Sequence, residues 1–189
     1  MKIGIIQTII KWVYQLFTGR KKTSRKTRKP KKGRLVVKQA EAIDGDTIRG
    51  IVRGEKVKIR LILVDCPETR HAQKGKQPYG EEAKQFTKRR ISQAKLVEVE
   101  LHGTGAKDKY GRLIGHVFVN GQNLNRLLLK NGYARVAYAY GKYAYEDIYR
   151  KAEADAREKR LRIWSMKGYV QEDGFHPEVM PKKDIVADT

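Results

Sequence analysis

Among the charged residues between Asp44 and Glu68, three acids, Asp46, Asp65 and Glu68, and one arginine, Arg60, flanked by apolar Ile59 and Leu61 in a strand pattern, are of types that could do chemistry together. A second arginine, Arg112, ends the stretch Asp108-Lys109-Tyr110-Gly111-Arg112. These residue types meet the needs of phosphodiester hydrolysis. The attacking hydroxide approaches an anion and the transition state gathers more negative charge. A hard cation, paired guanidiniums and a carboxylate base all lower that barrier. Asp46, Asp65 and a nearby backbone carbonyl are oxygen donors suited to a hard divalent cation. Arg60 and Arg112 can each grip non-bridging phosphate oxygens with two hydrogen bonds. Glu68, just past Pro67, is the candidate general base.

Each piece alone has an ordinary explanation. Asp44-Gly45-Asp46 is a turn signal, and Arg60 with Glu68 could be a surface ion pair of little energetic weight. Tyr138 and Tyr140, taken by themselves, read as packing residues. The single cysteine, Cys66, excludes an intramolecular disulfide and a Cys-based zinc site. His71, His102, His116 and His176 lack zinc-ligand spacing. The functional reading rests on the combination, and on strands able to bring its members together.

Those strands are legible. Leu35–Ile43 and Thr47–Val52 read as strands flanking the Asp44-Gly45-Asp46 turn, and Arg53-Gly54 closes a hairpin into Lys56–Leu63. There Val57, Ile59, Leu61 and Leu63 alternate with Lys56, Lys58 and Arg60, so one face is core and the other polar. Gly80–Gln93 has helical spacing, with Ala83, Phe86, Thr87, Ile91 and Ala94 inward. Strands follow at Leu96–Leu101 and Arg112–Val119, then a tight turn at Asn120-Gly121. A short helix presents Leu124, Leu127 and Leu128, and Asn131-Gly132 ends it. A last helix from Tyr145 to Lys159 places Tyr145, Ile148, Ala152 and Ala156 inward. The pattern implies an α+β fold with a mostly β core: a five-stranded OB-type barrel with three packed helices, an architecture that binds nucleic acids across one face.

The charge is unevenly spread. The chain holds 42 Lys/Arg against 21 Asp/Glu, a net charge of +21, which calls for an anionic partner. Residues 1–38 contain 13 of the basic residues and no acid, leaving 29 basic against 21 acidic beyond them. Residues 3–17 form the most apolar run, with Ile3, Ile6, Ile10, Val13 and Phe17 at helical spacing. Fifteen residues with Lys11 near the middle are short for a span, and no small-residue cleavage site follows. An amphipathic helix in the membrane interface, or a short anchor, fits; a helix packed on a partner is the alternative. Arg20–Arg34 holds ten basic residues with nothing to bury, so it reads as a disordered linker able to touch anionic lipid or nucleic-acid phosphates. The expected organisation is residues 1–18 as amphipathic helix and possible anchor, 19–34 as linker, 35–168 as the folded domain and 169–189 as a polar tail.

The combination of motifs strongly resembles the thermonuclease, or staphylococcal nuclease, family. The matching pieces are AIDGDT (42–47), IRLILVDCPET (59–69), YGEEAKQFTK (79–88), DKYGR (108–112), ARVAYAY (134–140) and Ile163-Trp164-Ser165. The resemblance covers about residues 35–166. It implies a five-stranded OB-type barrel with three helices and calcium-dependent hydrolysis of DNA and RNA, leaving 3′-phosphate and 5′-hydroxyl ends. By motif position it puts calcium on the Asp46 and Asp65 carboxylates and the Cys66 carbonyl. It makes Glu68 the base and Arg60 and Arg112 the phosphate-binding arginines. Nucleotide contacts fall on Lys109, Tyr110, Tyr138 and Tyr140. Cys66 departs from the family's usual threonine, which puts the rate in question more than the activity. A monomer is expected, membrane-associated or secreted: family habit favours export, whereas the basic flank of a spanning first helix would favour the cytoplasmic side. The competing reading is a non-catalytic OB module that only binds nucleic acid or protein.

Overall fold

The computed structural model describes residues 29–70, 75–103 and 107–179. The expected amphipathic helix, and the linker up to residue 28, lie outside the described residues. Among the described residues no helix is long and apolar enough to cross a membrane.

The elements are β1 (Leu35–Val36), β2 (Lys38–Ala42), β3 (Thr47–Val52), β4 (Glu55–Leu61), α1 (Gly80–Ser92), β5 (Val97–Leu101), β6 (Leu113–Val119), β7 (Gln122–Asn123), α2 (Leu124–Lys130), α3 (Glu146–Glu158), β8 (Val170–Gln171) and β9 (Gly174–Phe175). The main sheet runs β1-β5-β6-β4-β3-β2, with β7 paired to β6. All its pairings are antiparallel except β4 with β6. The fold is therefore a mixed sheet with three helices among the described residues, but the ladder is an open path and not the closed five-stranded barrel expected. The physical reason lies in the first strand. Val37 interrupts it, and Gln39 sits at φ 48° beside a register shift, so β1 pairs with β5 while β2 pairs with β3.

The turns form where the sequence puts them. Arg53-Gly54 and Asn120-Gly121 both have positive φ at their two central residues, the conformation whose twist matches a two-residue hairpin. Inward positions of β3, β4, β5 and β6 build one core around Ile48, Ile59, Leu61, Val99 and Val117. Helix α1 packs Ala83, Thr87 and Ile91 inward; Glu81 and Glu82 in its first turn and Arg89 and Arg90 in its last complement the helix dipole. Asn123 caps α2, accepting from the Arg126 N–H at 2.9 Å.

Two expectations change. Helix α3 turns Tyr149, Ala152 and Ala156 inward, whereas Ile148 is 49% exposed. The Tyr149 hydroxyl decides the face, because it is satisfied inside by Asn123 and by His116 Nδ1 at 2.8 Å. The stretch after Gly168, expected as a polar tail, is structured through Val179. Tyr169 and Phe175 are buried, and β8 pairs with β9.

Candidate active site

Arg60 stands on β4 between Thr47 of β3 and Ile114 of β6. Its neighbours Ile59 and Leu61 are buried in the core, so the guanidinium emerges on the opposite face. Three segments converge on it. The first is the turn before β3: Thr47 O accepts from the N–H groups of Ile43 and Asp44, and Asp46 O accepts from Leu61 N–H. The second is the bend after β4. There Leu63 is buried at φ 60°, a left-handed conformation costing on the order of 1–2 kcal/mol for a side-chain-bearing residue. The bend brings Val64 O to 2.7 Å from Arg60 Nη1. The third is the extended stretch at Asp65, whose backbone exchanges two hydrogen bonds with Arg135.

The result is one guanidinium between two carboxylates. Arg60 Nη1 lies 2.8 Å from Asp46 Oδ2 and Nη2 lies 3.4 Å from Asp65 Oδ1. Asp46 also accepts from the Cys66 N–H at 2.8 Å and the Thr47 hydroxyl at 3.1 Å. Burial works against the charge on Arg60, but the two aspartates outweigh it and raise its pKa. Burial, then repulsion from Asp46, raises the Asp65 carboxyl above the ordinary range despite Arg135 and Arg60. Burial raises the Cys66 thiol well above its ordinary value.

Glu68 belongs to the same cluster. Burial, a hydrogen bond with Asp44 and the charges of Asp46 and Asp44 push its carboxyl up to about 7. Its backbone is fixed from both sides: its N–H donates to Gln77 Oε1 at 2.8 Å and its carbonyl accepts from Gln77 N–H at 3.1 Å. Gly80 lies so close that a Cβ there would sit 2.7 Å from Glu68 O. Helix α1 thus meets the site directly. It does so again at Gly45, whose carbonyl accepts from the buried Thr87 hydroxyl at 2.6 Å.

Arg112 immediately precedes β6. Since Ile114 is the register partner of Arg60, Arg112 two residues earlier lies on the same sheet face. It is held differently, by Asp108 alone among acids, with Nε 2.6 Å from Oδ2. Burial works to raise the pKa of the Asp108 carboxyl, but hydrogen bonds from the Arg112 N–H and side chain and from the Tyr110 N–H, with the Arg112 charge, together outweigh it and lower it. Lys109 and Arg112 both lie 5.1 Å from the Tyr110 ring. Tyr110, Tyr138 and Tyr140 are 69%, 54% and 87% exposed, so the packing explanation for the last two does not hold. The Tyr138 ring is 6.0 Å from the Arg60 guanidinium, while Tyr140 is 87% exposed and makes no ring contact with Arg60 among the described residues.

Sequence reasoning missed Arg135, Asp44, Gln77 and Gly80. Arg135 is the most consequential: its Nε lies 2.9 Å from Asp65 Oδ2. The available signal was a lone cation inside the apolar run Tyr133–Ala139, the same signal that singled out Arg60. A cleft of about 810 Å³ between α3 and the β8–β9 hairpin is lined by Arg135, Glu153, Arg157 and Trp164 but by none of Asp46, Arg60, Asp65, Glu68 or Arg112.

Among the described residues, no three His, Cys, Asp or Glu side chains form a ready-made metal cage. The donors nonetheless suit a hard cation. Asp44, Asp46, Asp65 and Glu68 are oxygen ligands that crowd negative charge beyond what Arg60 and Arg135 neutralise, as the raised carboxyls of Asp44, Asp65 and Glu68 register. Asp46 accepts from the N–H of Cys66, the residue after Asp65, and Arg60 lies between the two carboxylates.

A family model described as staphylococcal nuclease homologue matches residues 58–166. Among curated relatives, Endonuclease YncB of Bacillus subtilis (strain 168) is 44% identical over 136 residues, 71% of this chain and 64% of that protein. The SPbeta prophage-derived endonuclease YokF of the same organism is 40% identical over 146 residues, 77% and 49% of the two chains. The Thermonuclease of Staphylococcus hyicus is 37% identical over 128 residues, 68% and 75% of the two. The chain spans about half to two thirds of the length of the Bacillus relatives. With the match covering most of the sheet, α1 to α3 and every member of the Arg60 cluster from the β4 side, the chain belongs to the staphylococcal nuclease family.

Proposed function

We propose that this chain is a calcium-dependent nuclease that hydrolyses DNA and RNA to 3′-phosphate and 5′-hydroxyl ends. The observation that carries this reading is Arg60, poised on a partly open face between Asp46 and Asp65, with Glu68 in the same cluster. The Asp46 and Asp65 carboxylates and the Cys66 carbonyl would hold calcium, which when bound supplies positive charge beside the scissile phosphate. Arg60 and Arg112, on one sheet face, grip non-bridging oxygens of that phosphate and take up the charge that grows in the transition state. Glu68 accepts a proton from the attacking water through a carboxylate oxygen. The bond from phosphorus to the 5′-oxygen breaks, and that oxygen leaves as a hydroxyl after taking a proton from solvent. Lys109, Tyr110, Tyr138 and Tyr140 contact the nucleotide, with exposed rings offered to bases. The substrate lies across the Arg60 face of the sheet.

Incubation with plasmid DNA and with RNA, in calcium and then in excess chelator, tests this. The expected result is cleavage that chelation abolishes and that Glu68→Gln lowers by orders of magnitude. Binding without cleavage would overturn the assignment in favour of the non-catalytic module. Residues 35–179, extended past the expected boundary by the packed Tyr169 and Phe175, are read as the nuclease unit, acting as a monomer. Residues 1–34 are read as a tether to anionic membrane, of a membrane-associated or secreted protein. Co-sedimentation with phosphatidylserine liposomes that is unchanged by deleting residues 1–34 would dismiss the tether.

A further inference from the structure

Two separate contacts run from the segment after Gly168 to the carboxylates of the site. In the first, Arg135 spans the gap. Its Nε donates to Asp65 Oδ2 at 2.9 Å and its Nη1 donates to Glu172 O at 2.9 Å, with Gln171 O further off at 3.5 Å. The guanidinium also lies 5.7 Å from the Phe175 ring. Glu172 and Asp173 form the loop of the β8–β9 hairpin, so the loop's backbone sets where the arginine fork sits, and the fork sets Asp65. In the second, the buried Tyr169 donates its hydroxyl to Pro78 O at 2.8 Å. Pro78 follows Gln77, which holds the Glu68 backbone, and Gly80 lies against the Glu68 carbonyl. Tyr169 also stacks near Phe175, with ring centroids 5.5 Å apart, so both contacts share one small core with Ile163.

We propose that the hairpin Val170–Phe175 is a positioning element of the active site, orienting Asp65 through Arg135 and Glu68 through the Tyr169–Pro78 bond. Hairpin, arginine and tyrosine touch neither substrate nor the reacting atoms. They fix the carboxylates that do. Residues 169–175 lie beyond the 58–166 span of the family match, so this buttress is supplied by chain outside it. The inference rests on the function proposed above.

The test uses the full chain and four variants: Arg135→Lys, Gly174→Val, their double, and Tyr169→Phe. Arg135→Lys keeps the charge and loses the fork that reaches Asp65 and Glu172 together. Gly174 has φ 146°, which side-chain-bearing residues rarely adopt, and a Cβ there meets nothing nearer than Arg135 Nη2 at 4.0 Å, so Gly174→Val distorts the hairpin chiefly through its backbone. Calcium affinity is read by calorimetry, cleavage by kcat and KM at saturating calcium, and melting temperature alongside. Arg135→Lys and Gly174→Val are each expected to weaken calcium binding about tenfold, as loss of an outer-shell partner does. The double variant is expected to be no weaker than the worse single, because both act through one contact. Tyr169→Phe is expected to leave calcium affinity unchanged and lower kcat about tenfold with KM unchanged, through misplacement of Glu68. Variants that only melt earlier, with wild-type calcium affinity and kcat, would overturn the proposal, as would additive losses in the double variant. If the wild-type chain itself neither binds calcium nor cleaves, the failure lies with the proposed function and not with the buttress.

Discussion

Arg60 and Arg112 share one face of the sheet and are held in opposite ways. Arg60 sits within a regular strand, its side chain is 14% accessible, and it touches Asp46, Asp65 and Val64 O. Arg112 sits at a strand entrance, is 24% accessible, and depends on the Asp108 loop with Tyr110 beside it. The first is fixed by the fold before any substrate arrives. The second, in the proposed reaction, would exchange its Asp108 carboxylate for a phosphate with little rearrangement. A site that must both anchor a charge and adapt to a moving chain gains from having one of each.

The sharpest way to break this comparison is Arg60→Ala. Removing it takes a phosphate clamp from the transition state, with kcat expected to fall about 10³-fold. It also leaves Asp46 and Asp65 facing each other, with stability expected to fall by about 3 kcal/mol in urea titrations. Arg112→Ala is expected to cost about 10²-fold in kcat while denaturation midpoints move by less than about 1 kcal/mol, since its ion pair is part-exposed. Equal stability losses from the two substitutions would erase the distinction. A third measurement keeps stability and catalysis apart. Burial holds His116, four residues beyond Arg112 on β6, down at about 4. The unfolded chain takes up that proton first, so stability is full above about pH 6.5 and falls by about 3 kcal/mol as pH drops to 4. Urea titrations at pH 7 and pH 5 on wild type and His116→Gln check this, the variant being expected to show the flatter profile. The two arginine variants therefore need to be compared at pH 7 or above. Smaller still, Tyr138→Ala is expected to raise KM about tenfold with kcat little changed, and Tyr140→Ala to do less, because only Tyr138 lies near Arg60.

The legible and illegible parts of the molecule divide along physical lines. Alternation in Lys56–Leu63 predicted the face of Arg60 correctly, because burial of Ile59 and Leu61 leaves a strand no freedom about the residue between them. The Asn120-Gly121 and Arg53-Gly54 turns were readable because left-handed backbone has few tenants. Helix α3 was read correctly at Ala152 and Ala156 but with Ile148 in the place of Tyr149, and only the three-dimensional partner of the tyrosine hydroxyl separates those two neighbours. The open strand path came from a break at Val37 and the left-handed Gln39, for which the local sequence carries no glycine or proline warning. Arg135 and the hairpin escaped because their meaning lies in contacts with Asp65, 70 residues away in sequence. Two aromatic anchors, Tyr169 and Phe175, in a polar stretch give no periodicity to read.

Gly45 has a consequence for measurement. A side chain there would press within 2.8 Å of Cys66 Sγ, so the backbone of the carboxylate turn lies against the chain's one thiol. A thiol so enclosed, and held protonated by burial, has no room for a reagent or an added oxygen. Modification must wait until the turn lifts away from the β4 extension and from α1. The rate at which a thiol reagent labels Cys66 therefore clocks the opening of the active site itself, with no probe introduced.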